Sequence, residues 1–310
     1  MTDKRALHVE TPLIESRALS AHAGRPVWLK LDALQPPGSF KIRGIGHACG
    51  EYARRGAGRF ISSSGGNAGI AVAYAGRQLA IPVVVVVPET TSERAKALIQ
   101  QEGAEVIVHG KSWQESDELA RSRVQDSDTY LHPFDDPLVW DGHATMIDEV
   151  AMSGFKPGVV IVSVGGGGLY CGIVKGLVRN EWSDVPVIVT ETEGADSLAR
   201  SVEAGCLIEL DAITSIATTL GARKVCHEAL ASSQTHPTRS RVVTDRAAVS
   251  ACGKFLADHR ILVEPACGAS LAIVYDDPHE LEEFESALVV VCGGATTTLE
   301  QLQAWSKNPS

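Results

Sequence analysis

A lysine at the start of a helix pattern, and three small-residue stretches that follow apolar runs, are the places where this chain could do chemistry. The lysine lies in Pro36-Pro37-Gly38-Ser39-Phe40-Lys41-Ile42-Arg43-Gly44. Two prolines and a glycine make a rigid turn, the helix pattern starts near Ser39, and Ser39 is placed to cap it. Lys41 then falls in the first turn, where the helix dipole disfavours a cation. It is either an exposed lysine or one used covalently, and the motif alone leaves both open.

The second stretch is Ser62-Ser63-Ser64-Gly65-Gly66-Asn67-Ala68-Gly69, between a strand pattern and a helix pattern. Small residues there leave backbone N–H groups uncovered at a helix N-terminus, a ready site for an anion. A tight strand-to-helix turn would read the same way. The hydroxyls and Asn67 favour a carboxylate or phosphate ligand. The third is Ser163-Val164-Gly165-Gly166-Gly167-Gly168-Leu169. Consecutive glycines cost backbone entropy on ordering, which points to a group coming very close to the backbone, a phosphate by preference. The spacing is neither GxGxxG nor GxxxxGK[ST], so neither a dinucleotide site nor a nucleotide P-loop is supported. The fourth, Val289-Val290-Val291-Cys292-Gly293-Gly294-Ala295, ends an apolar run. Its cysteine alone reads equally as a small buried residue.

The elements that must position these residues are continuous Val- and Ile-rich runs: Arg59–Ser62, Val83–Val87, Glu105–Val108, Val159–Val164, Val185–Thr190 and Ala287–Val291. Unbroken rather than alternating, they fit strands buried on both faces of a parallel sheet. Helical segments are expected over Ala68–Leu79, Ser92–Glu102 and Leu169–Val178, with Thr90 and Glu93 resembling a capping box before the second. The alternation predicts an α/β fold. Groups of βα units before and after about residue 140 predict two αβα lobes with mainly parallel sheets and a ligand cleft between them.

The composition narrows the possibilities. With 310 residues, 44% apolar and 21% charged, the chain has a globular core of one or two domains. A net charge of −10 argues against binding a phosphate backbone, so no nucleic-acid partner is expected. No apolar stretch approaches the length of a membrane span, and the charged N-terminus is not a signal peptide. The seven cysteines lack any CxxC and read as reduced thiols in a cytoplasmic protein.

Taken together, in this order, the four motifs resemble the fold-type II enzymes that use pyridoxal phosphate, the family of serine and threonine dehydratases and the tryptophan synthase β-subunit. The resemblance covers nearly the whole chain and is strongest to the short liver-type dehydratases. Thr11-Pro12-Leu13, Pro133-Phe134-Asp135-Asp136-Pro137, Trp140-x-Gly142-His143 and Val263-Glu264-Pro265-Ala266-Cys267-Gly268-Ala269 add to it. It implies a large cofactor-binding domain over 1–40 and 138–310 and a small substrate-loop domain over 41–137. It also implies that Lys41 carries pyridoxal phosphate covalently and acts as the catalytic base. Phe40 would pack on the ring and Asn67 would hydrogen-bond the ring 3′-oxygen. Gly165, Gly166, Gly167, Gly168 and Leu169 would hold the phosphate, and Cys292 would face the pyridine nitrogen. Ser63, Ser64, Gly65, Gly66 and Asn67 would grip the substrate carboxylate. Gly165, Glu191, Ala195, Leu220 and Ala222 would bind a monovalent cation, potassium, largely through main-chain oxygens.

The implied reaction is α,β-elimination of L-serine or L-threonine to keto acid and ammonia, by a homodimer. A related lyase or β-replacement enzyme, a serine racemase, and a non-catalytic amino-acid sensor on the same fold are the alternatives. One position departs from the liver-type pattern: Gly65 stands where many members carry alanine. The expectation is a roomier site there, and a gain in turnover of serine on restoring the methyl.

Overall fold

The computed structural model describes residues 6–307. The chain divides into two compact units, Met1–Val9 with Gln35–His143, and Glu10–Leu34 with Ala144–Ser310. The expected substrate-loop segment 41–137 lies inside the first of these. That unit begins earlier because the turn Pro36-Pro37-Gly38, closed by Gly38 N donating to Gln35 O at 2.7 Å, leads directly into the lysine helix.

The strands run in chain order β1 (Leu13–Glu15), β2 (Val27–Lys30), β3 (Arg59–Ser62), β4 (Val83–Val87), β5 (Glu105–Val108), β6 (Asp128–Tyr130), β7 (Val159–Ser163), β8 (Val187–Thr192), β9 (Thr238–Val243) and β10 (Ala287–Val290). The first unit holds a four-stranded sheet in the order β5-β4-β3-β6, and every pairing in it is parallel. The second holds a six-stranded sheet in the order β1-β2-β10-β7-β8-β9, parallel except for β1 against β2. The five valines of β4 and the residues Val159–Ser163 of β7 are buried throughout, as strands covered on both faces require.

Three local expectations change. The helix Glu93–Gln101 is capped by Ser92, whose Oγ accepts from Ala95 N at 3.2 Å, and not by Thr90. The helix Lys41–Arg54 has Phe40 at its cap position and no side-chain cap bond; the Ser39 hydroxyl is buried with no hydrogen-bond partner. β8 starts after Pro186, which has no N–H to give, and runs on to Thr192 because Glu191 and Thr192 pair with Val242 and Val243 of β9. Among the described residues no helix is long and apolar enough to cross a membrane.

Candidate active site

In the first unit, Lys41 is the first residue of its helix and half-buried. Its Nζ donates to Pro133 O at 2.7 Å and lies 5.2 Å from the centre of the Phe40 ring. The carbonyl is held in place by the turn around it. His132 Nδ1 accepts from Phe134 N at 3.3 Å and Asp135 N at 2.8 Å, and Trp140 Nε1 donates to Phe134 O at 2.7 Å. With Nδ1 accepting, His132 carries its proton on Nε2; burial first, then the Arg121 charge, lower its pKa to about 4. Asp136 closes the turn by accepting from Leu138 N and Tyr52 OH, each at 2.8 Å. The Pro133–Pro137 motif is thus a scaffold for the lysine.

Behind Phe40 stands His143, its ring 4.9 Å from the phenyl ring and both its nitrogens buried without a partner. Burial, then the charges of Lys41 and Arg43, hold it neutral. Gly44 makes room for it, since a Cβ there would lie 2.6 Å from His143 Cε1.

The loop Ser63–Asn67 joins β3 to the helix Asn67–Leu79, which packs against the lysine helix. Gly66 is the helix cap and has no side chain with which to cap the helix. A Cβ at Gly69 would lie 1.9 Å from Ser64 O, so the backbone itself demands glycine there. Asn67 is buried as the first helical residue. Ser63 does not offer its hydroxyl to a ligand: Oγ bonds Asp117 Oδ1 at 2.7 Å and Tyr130 OH at 2.9 Å. Burial pushes the Asp117 carboxyl up, and bonds from Arg121, Tyr130 and Ser63 outweigh it and hold it below the usual range. The expectation of extra room at Gly65 is not met. A Cβ there would lie 2.4 Å from Thr91 Oγ1 and 2.8 Å from Thr91 Cγ2.

In the second unit, Gly165–Gly168 follow β7 and lead into the helix Gly168–Arg179. Gly167 caps that helix at φ 96° with no side-chain cap bond. A Cβ on it would lie 2.4 Å from Ala229 Cβ, so both conformation and space require glycine. This uncapped helix N-terminus, floored by glycines, is a cradle that fits a phosphate. Gly165 approaches the Leu220 backbone so closely that a Cβ would lie 3.0 Å from its Cα. Ala222 N donates to Leu220 O at 2.7 Å, and Ala195 and Leu220 share a buried cluster. Glu191, fully buried, accepts from Leu198 N at 2.8 Å and Ala199 N at 2.7 Å. Its burial raises its pKa to about 8 against the opposing pull of those two N–H groups. That capping role gave no sign in the sequence.

Cys292 is buried just past β10. A hydrogen bond with Cys267, then burial and the charge of Glu264, push its thiol well up, so it stays protonated. Gly293 and Gly294 have φ of 107° and 139°, and a Cβ on Gly294 would lie 2.5 Å from the Glu264 side chain. The Val263–Ala269 segment therefore packs directly on the Cys-Gly-Gly turn.

Sequence reasoning missed Thr91, Asp117 and Tyr130. They come from three separate segments that meet at the loop only in the fold, and none carries a motif.

The family model described as "Pyridoxal-phosphate dependent enzyme" matches residues 5–293. The human protein named L-serine dehydratase/L-threonine deaminase is 47% identical, over 98% of this chain and 96% of its own length. The L-serine dehydratase of Dictyostelium discoideum is 44% identical, over 96% of this chain and 91% of its own. The crystal structure of a fungal L-serine ammonia-lyase from Rhizomucor miehei superposes with a TM-score of 0.94 at 34% identity, covering 99% of this chain and all of that one.

Proposed function

The chain belongs to the pyridoxal-phosphate dependent enzyme family, and we propose on that footing that it converts L-serine and L-threonine to pyruvate or 2-oxobutanoate with release of ammonia. The observation that carries the reading is Lys41: an amine at a helix start, aimed by one carbonyl at 2.7 Å and flanked by an aromatic ring.

Bound pyridoxal phosphate would supply the carbonyl that takes up an amine and the electron-poor ring that makes the substrate α-proton removable. Lys41 would hold the cofactor until the substrate amine displaces it, and the freed neutral amine would then take the proton from Cα. The N–H groups of Gly165–Leu169 would hold the phosphate. Phe40 would pack against the ring and Asn67 would hydrogen-bond its 3′-oxygen. The backbone N–H groups of Ser63–Asn67 hold the substrate carboxylate; Ser63 contributes main chain only, its hydroxyl being committed to Asp117 and Tyr130. Cys292, kept as a thiol, would face the pyridine nitrogen without offering it a negative charge. That favours loss of the β-hydroxyl over racemisation.

In this reading 41–137 carries the substrate loop, and 1–40 with 138–310 carry the cofactor cradle. Gly165, Glu191, Ala195, Leu220 and Ala222 hold potassium through main-chain oxygens and the Glu191 carboxylate. The protein acts in the cytoplasm as a homodimer, as the likeness to the liver-type dehydratases implies, and light scattering tests the assembly.

The test of the reaction is keto acid and ammonia release from L- and D-serine and L- and D-threonine by the pyridoxal phosphate-loaded protein. Pyruvate and ammonia in equal amounts from L-serine are expected. D-serine formed in place of pyruvate would make it a racemase. A visible absorption band without any turnover would make it a sensor.

A further inference from the structure

The backbone at Gly65 does not need glycine: its φ lies outside the left-handed region that Gly167 and Gly293 occupy. What excludes a side chain there is Thr91, with Oγ1, Cγ2 and Cβ at 2.4, 2.8 and 3.2 Å from the place a Cβ would take. Thr91 is not free to retreat. It sits between β4 and the helix Glu93–Gln101, its own N–H bonded to Pro88 O at 3.0 Å, and the next residue, Ser92, is the helix cap. A β-branched side chain on a fixed backbone has few rotamers to choose from. The opposite end of the loop is pinned by Ser63 on Asp117 and Tyr130. The backbone between is bent so tightly that Ser64 O would touch a Cβ at Gly69.

We propose that Thr91 is a positioning residue for the substrate carboxylate: its side chain fills the place that a side chain at position 65 would take, and so fixes the loop Ser63–Asn67 in its binding shape. This rests on the reading of that loop as the carboxylate grip. Gly65 and Thr91 then act as one unit, in which the bulk needed at the loop is delivered from a neighbouring segment. Both branches of the Thr91 side chain face the loop, one polar and one apolar, so the contribution is volume. A valine at 91 serves, and an alanine does not.

The test is steady-state kinetics on L-serine, with the pyridoxal phosphate-loaded protein, for wild type, Gly65→Ala, Thr91→Ala, Thr91→Val and the double variant Gly65→Ala/Thr91→Ala. Each alanine alone should raise KM about tenfold, with a smaller change in kcat, the size expected for side chains in direct contact. The double variant should return KM to within about threefold of wild type, because the new methyl takes up the volume that Thr91 has lost. Thr91→Val should stay within about twofold. Thermal midpoints, taken alongside, show whether each variant is folded; a purely structural role would lower them without coupling in KM. Penalties that multiply in the double variant overturn the inference. A wild type that forms no pyruvate from L-serine overturns the function reading, and this inference with it.

Discussion

Lys41 Nζ donates to the main-chain oxygen of Pro133 at 2.7 Å, so the amine is aimed by a group that cannot be mutated away without moving the turn. Lys41→Ala should abolish the visible band of bound cofactor and lower keto acid formation by at least about 10²–10⁴-fold, the usual worth of a positioned proton acceptor. Borohydride reduction followed by peptide mapping should place the label on Lys41. A label on Lys30, Lys96 or Lys175 would remove the assignment.

Glu191 predicts a pH signature. Its pKa is raised from 4.5 to about 8 in the folded chain, so the folded state holds that proton more tightly than the unfolded one. The stability this gives is full below 4.5 and is lost as the pH rises through about 8. A bound cation favours the charged form and offsets the loss. The thermal midpoint in potassium minus that in tetramethylammonium should therefore widen between about pH 5 and pH 8. Glu191→Gln should flatten the difference. An unchanged gap at all pH values in the wild type would take the cation away from Glu191.

Lys30 and Glu149 form a buried ion pair at 2.6 Å with side-chain exposures of 1% and 7%, and Lys30 also donates to Thr11 O at 2.6 Å. Lys30→Met strands the Glu149 charge and should cost about 3–5 kcal/mol in denaturant titration. Replacing both partners with Met and Leu should recover part of that loss. A single variant as stable as wild type would show that the pair is not buried in solution.

Cys206 is exposed and the other six cysteines are buried, among them Cys49, Cys252 and Cys292, whose thiols burial helps to push up. Iodoacetamide on the native protein near pH 8 should modify Cys206 alone, since only the thiolate reacts. Mass spectrometry in denaturant should then show all seven. Early labelling of Cys292 would contradict a protonated, sheltered thiol.

The strands Arg59–Ser62 and Val83–Val87 were legible residue for residue, because central parallel strands are runs of β-branched and apolar side chains bounded by turn residues. Glu105–Val108 was legible in extent, but it is an edge strand with no buried residue, not one covered on both faces. β1 and β6 are three residues each, too short to show a period. β9, Thr238–Val243, is an edge strand with two arginines and no buried residue, and it reads as loop. The lysine and glycine motifs were legible because their chemistry is local. Gly65 was misjudged for the opposite reason. The space around a glycine belongs to whatever folds against it, and Thr91 is 26 positions away in the chain.

The strand order also sets a timetable. The sheet β5-β4-β3-β6 is built entirely from residues 59–130, so a chain emerging from the ribosome holds all of it before β7 has been made. The other sheet waits: β2, near the start, pairs with β10, whose last residue is Val290, and β10 alone bridges β2 to β7. Until β10 arrives, β2 and β7 each expose an unpaired edge. Synthesis therefore passes through a long interval with one sheet complete and the other open, and it is there that chaperone binding during translation should concentrate.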